Sequence, residues 1–564
     1  MQRIDVPVLI VGAGPVGLSA GLFLNRLGIG HRIIERRPGQ QRAPAAHVVN
    51  GRTFEIWRQM GADMEALQAA TRDPADAGHV YWVTKLGGDV IGRLTYERQG
   101  DDVLALTPTP LRNLSQHRLE PILVDSLRRA GAPAPHYGHQ WESSAEHDDA
   151  GVTSSVRELA TGETYDVRSR YVLAADGAGS RIRKSLGIQA IGPERLQSFV
   201  MIHFEANLRP LVRDCPGVLY WICDAAAGGA LVAHDIDREW VYMHAWEPER
   251  ERRDDYTAEV CTALVRRALT RPDVDLKILT ISDWMMTAQV AEQYGSGRIF
   301  LIGDSAHRFP PTGGMGLNTG VQDAHNLAWK IAAVEGEWGT ESLLETYESE
   351  RRPVARHNAD QSLANALRLF EVPQALGVTD RSKESNARMQ AVLADPGGRR
   401  RVAAAIENQA EHFDMLGLQL GFSYDVGALA DDGTAKPVAQ NQVREVVPSS
   451  RPGARLPHGW VERAGQRLST LDLVQPDRFT LLIDSHGDAW EQASRHLGVP
   501  IEVVRFGADV VDLDGWWTSV ARMSPGGALL VRPDQHVAFR STGALGEARR
   551  TLREAVARIL GTSR

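Results

Sequence analysis

Cysteine is scarce. The chain has 564 residues and three cysteines, Cys215, Cys223 and Cys261. Their spacing excludes a CxxC redox pair and a zinc knuckle, and it argues against a disulfide framework, which suits a reducing cytosol. A pairing of two of them stays open. Long apolar runs are also missing. No stretch of about 18 apolar residues occurs, so no membrane-spanning helix is expected. The first apolar run, Val6 to Val11, is too short for a secretory signal and leads straight into glycines. Positive charge is not in excess: the formal net charge is −8, which excludes a nucleic-acid surface and an anionic-membrane surface. Repeats and low-complexity tracts are absent. What remains is a cytoplasmic protein whose expected partner is a small molecule.

What is present is enough for several cores. Apolar residues make up 43% of the chain, and the length predicts roughly three or four folding units. Val8-Leu9-Ile10-Val11 reads as a buried parallel strand, Leu18 to Leu27 as a helix stopped by Gly28, and His31 to Glu35 as a second strand. Together they form a βαβ unit of about 30 residues. Between strand and helix lies Gly12-x-Gly14-Pro15-x-Gly17. Gly12 permits the tight turn, Gly14 lets backbone amides approach a pyrophosphate, and Gly17 lets the helix pack on the strand. The helix start then favours an anion. Glu35, ending the second strand, is placed to hydrogen-bond an adenosine ribose and to repel a 2′-phosphate. FAD or NAD therefore fits this turn better than NADP.

Two further turns repeat the theme of acid and glycine. Ala174-Ala175-Asp176-Gly177 follows an apolar strand, with Arg181 and Arg183 behind it. Ile299-Phe300-Leu301-Ile302 runs into Gly303-Asp304, whose acid can hold sugar hydroxyls of an extended cofactor. After it come Pro310-Pro311-Thr312-Gly313-Gly314-Met315-Gly316-Leu317-Asn318 and a helix near Val321 to Val334. A helix start aimed at that loop stabilises negative charge on a reduced flavin. From about Gln197 to Trp246 the sequence alternates as a sheet dense in Trp and Tyr. Phe479 to Ile483 and Ala528 to Val531 read as strands of a separate α/β unit beyond a polar linker near 430–450.

In this order and at these separations the three turns resemble the group A flavoprotein monooxygenases, the family of the phenol and para-hydroxybenzoate hydroxylases. The resemblance covers about residues 1–375, and the Pro310 to Asn318 run is its most specific part. It implies a Rossmann-type FAD-binding domain interleaved with a β-sheet substrate domain, within an α/β fold that is α+β overall. The substrate part falls at about 75–110 and 190–290, and 376–440 is a helical connection. Glu411 to Tyr424 resembles the chlorophenol and phenol hydroxylase branch. The last stretch, 441–564, resembles that branch's thioredoxin-like domain, which lacks cysteine here and so cannot exchange dithiols.

The implied activity is hydroxylation of a phenolic substrate through a flavin hydroperoxide, with FAD tightly but not covalently bound, NADH or NADPH as reductant, and O₂. The implied FAD contacts are Gly12, Gly14, Pro15, Gly17, Glu35, Arg36, Arg42, Gln116, Asp176, Gly177, Gly303, Asp304, Pro311, Gly314, Gly316, Leu317 and Asn318. Pro310 falls beside the flavin's reactive carbon. For a base that makes the phenolate, His47 ranks first, followed by Tyr242, with Tyr220, His234 and His244 also in range. His307 is expected to support the flavin loop. A homodimer is expected. Baeyer-Villiger oxidation or epoxidation of a polyketide-like aromatic, a flavin dehydrogenase, and a non-catalytic flavin-binding protein stand as alternatives.

Overall fold

The computed structural model describes residues 3–147 and 151–562. Strands Arg3–Val11, His31–Glu35, His136–Tyr137, Thr164–Ala174 and Ile299–Leu301 run parallel in one sheet. Arg3–Val11 lies between Thr164–Ala174 and His31–Glu35. Val8, Leu9 and Ile10 are wholly buried, as expected for a parallel strand covered on both faces. Helix Pro15–Arg26 returns from the first strand and packs against helices Gln116–Arg129 and Met315–Glu335. Strand order reverses on either side of Arg3–Val11. In such sheets the crevice at the carboxyl ends of the strands is where ligands bind.

A seven-stranded sheet stands apart from the first. It runs Lys277–Met286, Gln197–Glu205, Glu239–Trp246, Gly229–Asp235, Leu219–Ile222, His79–Val83 and Val90–Thr95. Side chains alternate across a strand, so neighbouring residues part company here. Tyr81, Tyr220 and Tyr242 pack into a core with Cys261 and Val265 of helix Ala258–Ala268. Trp82, Trp221 and Met243 line the cavity on the opposite face.

The last domain is built on Phe479–Ile483, parallel to Ile501–Arg505 and antiparallel to Ala528–Val531, which pairs with Val537–Ser541. Helices Asp488–Ser494 and Ala548–Ile559 pack on one another beside it. This is the strand arrangement of a thioredoxin-like fold, and its first turn, Asp484-Ser485-His486-Gly487, holds no cysteine. Between this domain and the nucleotide domain, residues 421–459 form neither helix nor strand, and helices Lys383–Ala394 and Pro396–Glu407 precede them.

Buried charges join the last domain to the rest. The Arg532 guanidinium donates to Glu350 at 2.7 and 2.9 Å, and Lys330 donates to Glu350 at 2.9 Å. Arg455 donates to Glu55, and Arg52 to the carbonyl of Asp534. The side chains of Glu350, Arg532 and Lys330 are wholly buried. No helix among the described residues is long and apolar enough to cross a membrane, and the three cysteines are unpaired.

Candidate active site

The three acid-and-glycine turns meet at the carboxyl ends of the parallel strands. Gly12 has φ +114°, and a Cβ on it would lie 2.1 Å from the Ala175 carbonyl oxygen. A Cβ on Gly17 would lie 2.0 Å from the Gly12 carbonyl oxygen. These glycines are required by the protein's own packing. Gly14 is different, because a Cβ there meets nothing within 4 Å. Helix Pro15–Arg26 starts at Gly14 with no side-chain cap, and Pro15 occupies its first turn. Its first amides are thus left for an external acceptor.

Glu35 is buried. One carboxylate oxygen accepts from the Ala13 amide and the other from the Arg37 amide, both at 2.9 Å. The acid's first task is therefore to hold the glycine turn. Arg36 is exposed, and the guanidinium that pairs with Glu35 is that of Arg37, at 3.2 Å. Arg37 also faces Glu120, which accepts from Gln116 at 2.9 Å and from the Gln41 amide at 2.7 Å. Gln116 thus belongs to this network through Glu120. Arg42 is exposed on the loop that follows.

Asp176 accepts from the Arg181 and Ile182 amides at 2.8 and 3.2 Å through one oxygen, and its other oxygen is buried without a partner. Burial raises its pKa. Gly177, at φ +83°, has open space where a Cβ would stand. Gly303, at φ +63°, sits against Val16. Asp304 is crowded by protein, which raises its pKa, yet its side chain is exposed. A carboxylate both crowded and exposed lies on the wall of a crevice. Its oxygen stands 4.0 Å from where a Cβ on Gly316 would be. Helix Met315–Glu335 begins at Gly314, φ +61°, again with no side-chain cap. Two uncapped helix starts, the open space at Gly14 and Gly316, an orphaned Asp176 oxygen and an exposed acid together fit an extended dinucleotide such as FAD.

The side chain of Asn318 is engaged within the protein. Its side chain accepts from the Asn50 amide and the Thr53 hydroxyl and donates to the carbonyls of Val48 and Gly314, at 2.6 to 3.0 Å. The side chain ties the loop before helix Met315–Glu335 to the segment after His47. Leu317 is half-buried on the first helical turn and packs against the main core. Pro310 is buried, and Pro311, Thr312 and Gly313 line the adjoining cavity. His307 donates into the fold, at 2.7 Å from Asp323, and stacks on Phe309 at 4.8 Å. It supports the loop, as expected from the sequence.

The cavity holds about 470 Å³, within the usual range for small-molecule sites. The sheet gives it Phe199, Leu219, Trp221 and Met243. His47 and Thr312 line it too. Segment 363–381 closes it with Leu363, Leu367, Phe370 and Leu376, and His412 and Phe413 complete the wall. The helical connection is therefore a wall of the site.

Of the candidate bases, only His47 lines this cavity. Its Nδ1 lies 2.9 Å from the Asn113 amide oxygen, so Nδ1 carries the proton and Nε2 the lone pair. Burial lowers its pKa, which keeps the ring neutral. His234 packs edge-on against it, with ring centres 5.4 Å apart, and is itself fixed by Ser115 at 2.6 Å. Tyr242 is withdrawn as a catalytic candidate. Its hydroxyl donates to the Ala227 carbonyl at 2.6 Å on the far face of the sheet, and burial raises its pKa. Tyr220 donates to the Cys215 carbonyl on that face, and His244 faces the Gly228 carbonyl there. Asn113, which sets the His47 tautomer, was not foreseen. It lies 66 residues along the chain and reaches Val48 only through strand pairing.

Residues 5–362 match the family model for an FAD binding domain, and residues 449–563 match that for the C-terminal part of aromatic-ring hydroxylases. A putative polyketide hydroxylase of Streptomyces halstedii is 35% identical over 98% of this chain and 97% of its own. The 2,4-dichlorophenol 6-monooxygenase of Cupriavidus pinatubonensis is 34% identical over 99% of this chain and 97% of its own. The crystal structure of the flavin-dependent monooxygenase PieE with FAD and substrate superposes with a TM-score of 0.93 at 34% identity, covering 99% of this chain and all of the other. With the nucleotide cradle and the apolar cavity side by side, this chain belongs to the family of FAD-dependent aromatic-ring hydroxylases and is a flavoprotein monooxygenase.

Proposed function

We propose that the substrate is a phenol held in the apolar cavity and that His47 draws off its hydroxyl proton. The observation that carries this reading is His47 itself. Nε2 makes no hydrogen bond among the described residues, while Nδ1–H is held by Asn113 and the ring lines the cavity beside Pro311 to Gly313. The phenol proton passes to Nε2, the Nδ1 proton stays on Nδ1 and keeps its hydrogen bond to the Asn113 oxygen, and the phenolate's ring carbons become more electron-rich. Bound FAD, reduced by NAD(P)H, supplies activated oxygen from O₂. Gly14, Gly177, Asp176 and Asp304 would hold it, and the two uncapped helix starts would be available to its anionic parts. Phe199, Trp221, Met243 and Phe413 keep water from the reacting ring. The unpaired cysteines, and a reductant held in the cytosol, support a cytoplasmic location.

The test is a panel of phenols with the FAD-loaded enzyme under labelled O₂. Expected are stimulated NAD(P)H oxidation and one labelled oxygen in the product, both lost in His47→Ala. Full product formation by that variant removes His47 from the reading. Insertion of oxygen beside a ketone, in place of ring hydroxylation, removes the phenol.

A further inference from the structure

His412 lines the cavity but has no chemical role in the reading so far. It comes from the short turn Ala410–His412, in the segment resembling the chlorophenol hydroxylase branch. Its ring is 6% exposed, stacks on Phe413 with centres 4.0 Å apart, and lines the substrate cavity. Neither ring nitrogen makes a hydrogen bond among the described residues, and Nδ1 is sealed from solvent without a partner.

Buried polar groups are rarely left so, since each unmade hydrogen bond costs roughly 1–3 kcal/mol. Burial pushes the pKa of His412 down to about 3, so the ring is neutral and has one N–H and one lone pair. Nδ1 is closed off, which leaves Nε2 to reach the cavity. An orphaned acceptor is tolerated better than an orphaned donor, so the stable tautomer keeps the lone pair on Nδ1 and offers Nε2–H. The neighbouring walls offer further donors. Tyr96 is 7% exposed and lines the same cavity, and its hydroxyl makes no hydrogen bond among the described residues. It packs tilted against Phe413, with ring centres 6.1 Å apart.

We propose that His412 is a specificity-determining residue whose Nε2–H receives a second oxygen of the aromatic substrate, a carbonyl or an ether-like acceptor distinct from the hydroxyl at His47. The inference rests on the cavity being the phenol site. It narrows the substrate class to phenols that also carry a hydrogen-bond acceptor. A site built to bond such an oxygen rejects the analogue lacking it, because its own donor is then left unpaired.

A matched pair tests this: 5-hydroxy-1-tetralone against 5,6,7,8-tetrahydro-1-naphthol, the same phenol with and without the ketone. Binding to the oxidised, FAD-loaded enzyme is read from the flavin spectrum, and turnover from NAD(P)H oxidation. The wild type is expected to bind the ketone at least about tenfold more tightly. His412→Phe keeps the ring stack and is expected to abolish the preference by weakening only the ketone. His412→Gln keeps an N–H donor and is expected to restore part of it. Equal binding of the pair by wild type overturns the proposal, as does a preference that survives in His412→Phe at full FAD content. Should His412→Phe lose FAD, the wild-type comparison and the Gln variant still decide. If neither phenol perturbs the flavin or stimulates NAD(P)H oxidation in wild type, the phenol reading itself fails and takes this inference with it.

Discussion

On the proposed reading His47 acts through a single lone pair, so its loss is expected to be felt in rate more than in binding. General-base assistance is worth about 10² to 10⁴ in rate. His47→Asn is expected to lower kcat within that range while FAD content and melting temperature stay near wild type. Burial lowers the His47 pKa, and the base acts only when neutral. The acid limb of the kcat/KM profile is therefore expected below the ordinary histidine value of about 6.5. It rises to a plateau as pH increases through the lowered pKa, and the limb is absent in the Asn variant. The glycines make a second contrast at this scale. Gly12→Ala meets a carbonyl oxygen at 2.1 Å and Gly14→Ala meets nothing. Gly12→Ala is expected to unfold the nucleotide domain, as judged by thermal melting of the apoprotein. Gly14→Ala is expected to keep the melting temperature and lose FAD affinity in a reconstitution titration.

At the scale of elements, the strand Glu239–Trp246 sorts its residues by parity. Met243→Trp fills the cavity and is expected to raise KM for the aromatic substrate with little change in stability. Tyr242→Phe loses a hydrogen bond on the far face and is expected to cost about 1 kcal/mol of stability with turnover kept. Chemical denaturation and steady-state kinetics on the pair check both. The same strand marks where the sequence stopped being legible. Its alternation was plain, but both phases carry bulky side chains, so nothing local said whether Tyr242 or Met243 faces the ligand. The nucleotide cradle was legible because its demands are local: a glycine where a carbonyl crowds the backbone, an acid at a strand end. Segment 363–381 and His412 were not, because a helical run does not announce what its inner face will meet. Asn113 was hidden for the same reason, since a partner brought in by strand pairing leaves no trace near His47.

At the scale of the whole molecule, ion pairs sealed from water hold the last domain to the first. Burial alone would raise the Glu350 carboxyl, but Arg532 and Lys330 outweigh it and hold it down to about 2. Arg455 and Arg52 do the same for Glu55, also to about 2. A depressed carboxylate stabilises the fold fully above its unfolded pKa of about 4.5 and less as pH falls toward the folded value. Unfolding monitored between pH 5 and 2 is therefore expected to show a progressive loss of stability. Glu350→Gln strands Arg532 and Lys330 in the interior and is expected to cost about 3–5 kcal/mol at neutral pH, with a flatter acid dependence.

Helix Met315–Glu335 offers its amino end to the flavin loop and, one turn from its other end, plants Lys330 on Glu350. At 21 residues it spans about 30 Å. It is a stiff rod, anchored at one tip by the appended domain and, on the proposed reading, cradling the dye at the other. Docking of that distant domain is thereby expected to be written into the colour of the enzyme: loosening the anchor in Glu350→Gln should shift the visible absorption of the FAD-loaded protein, and an unchanged spectrum would uncouple the two ends of the rod.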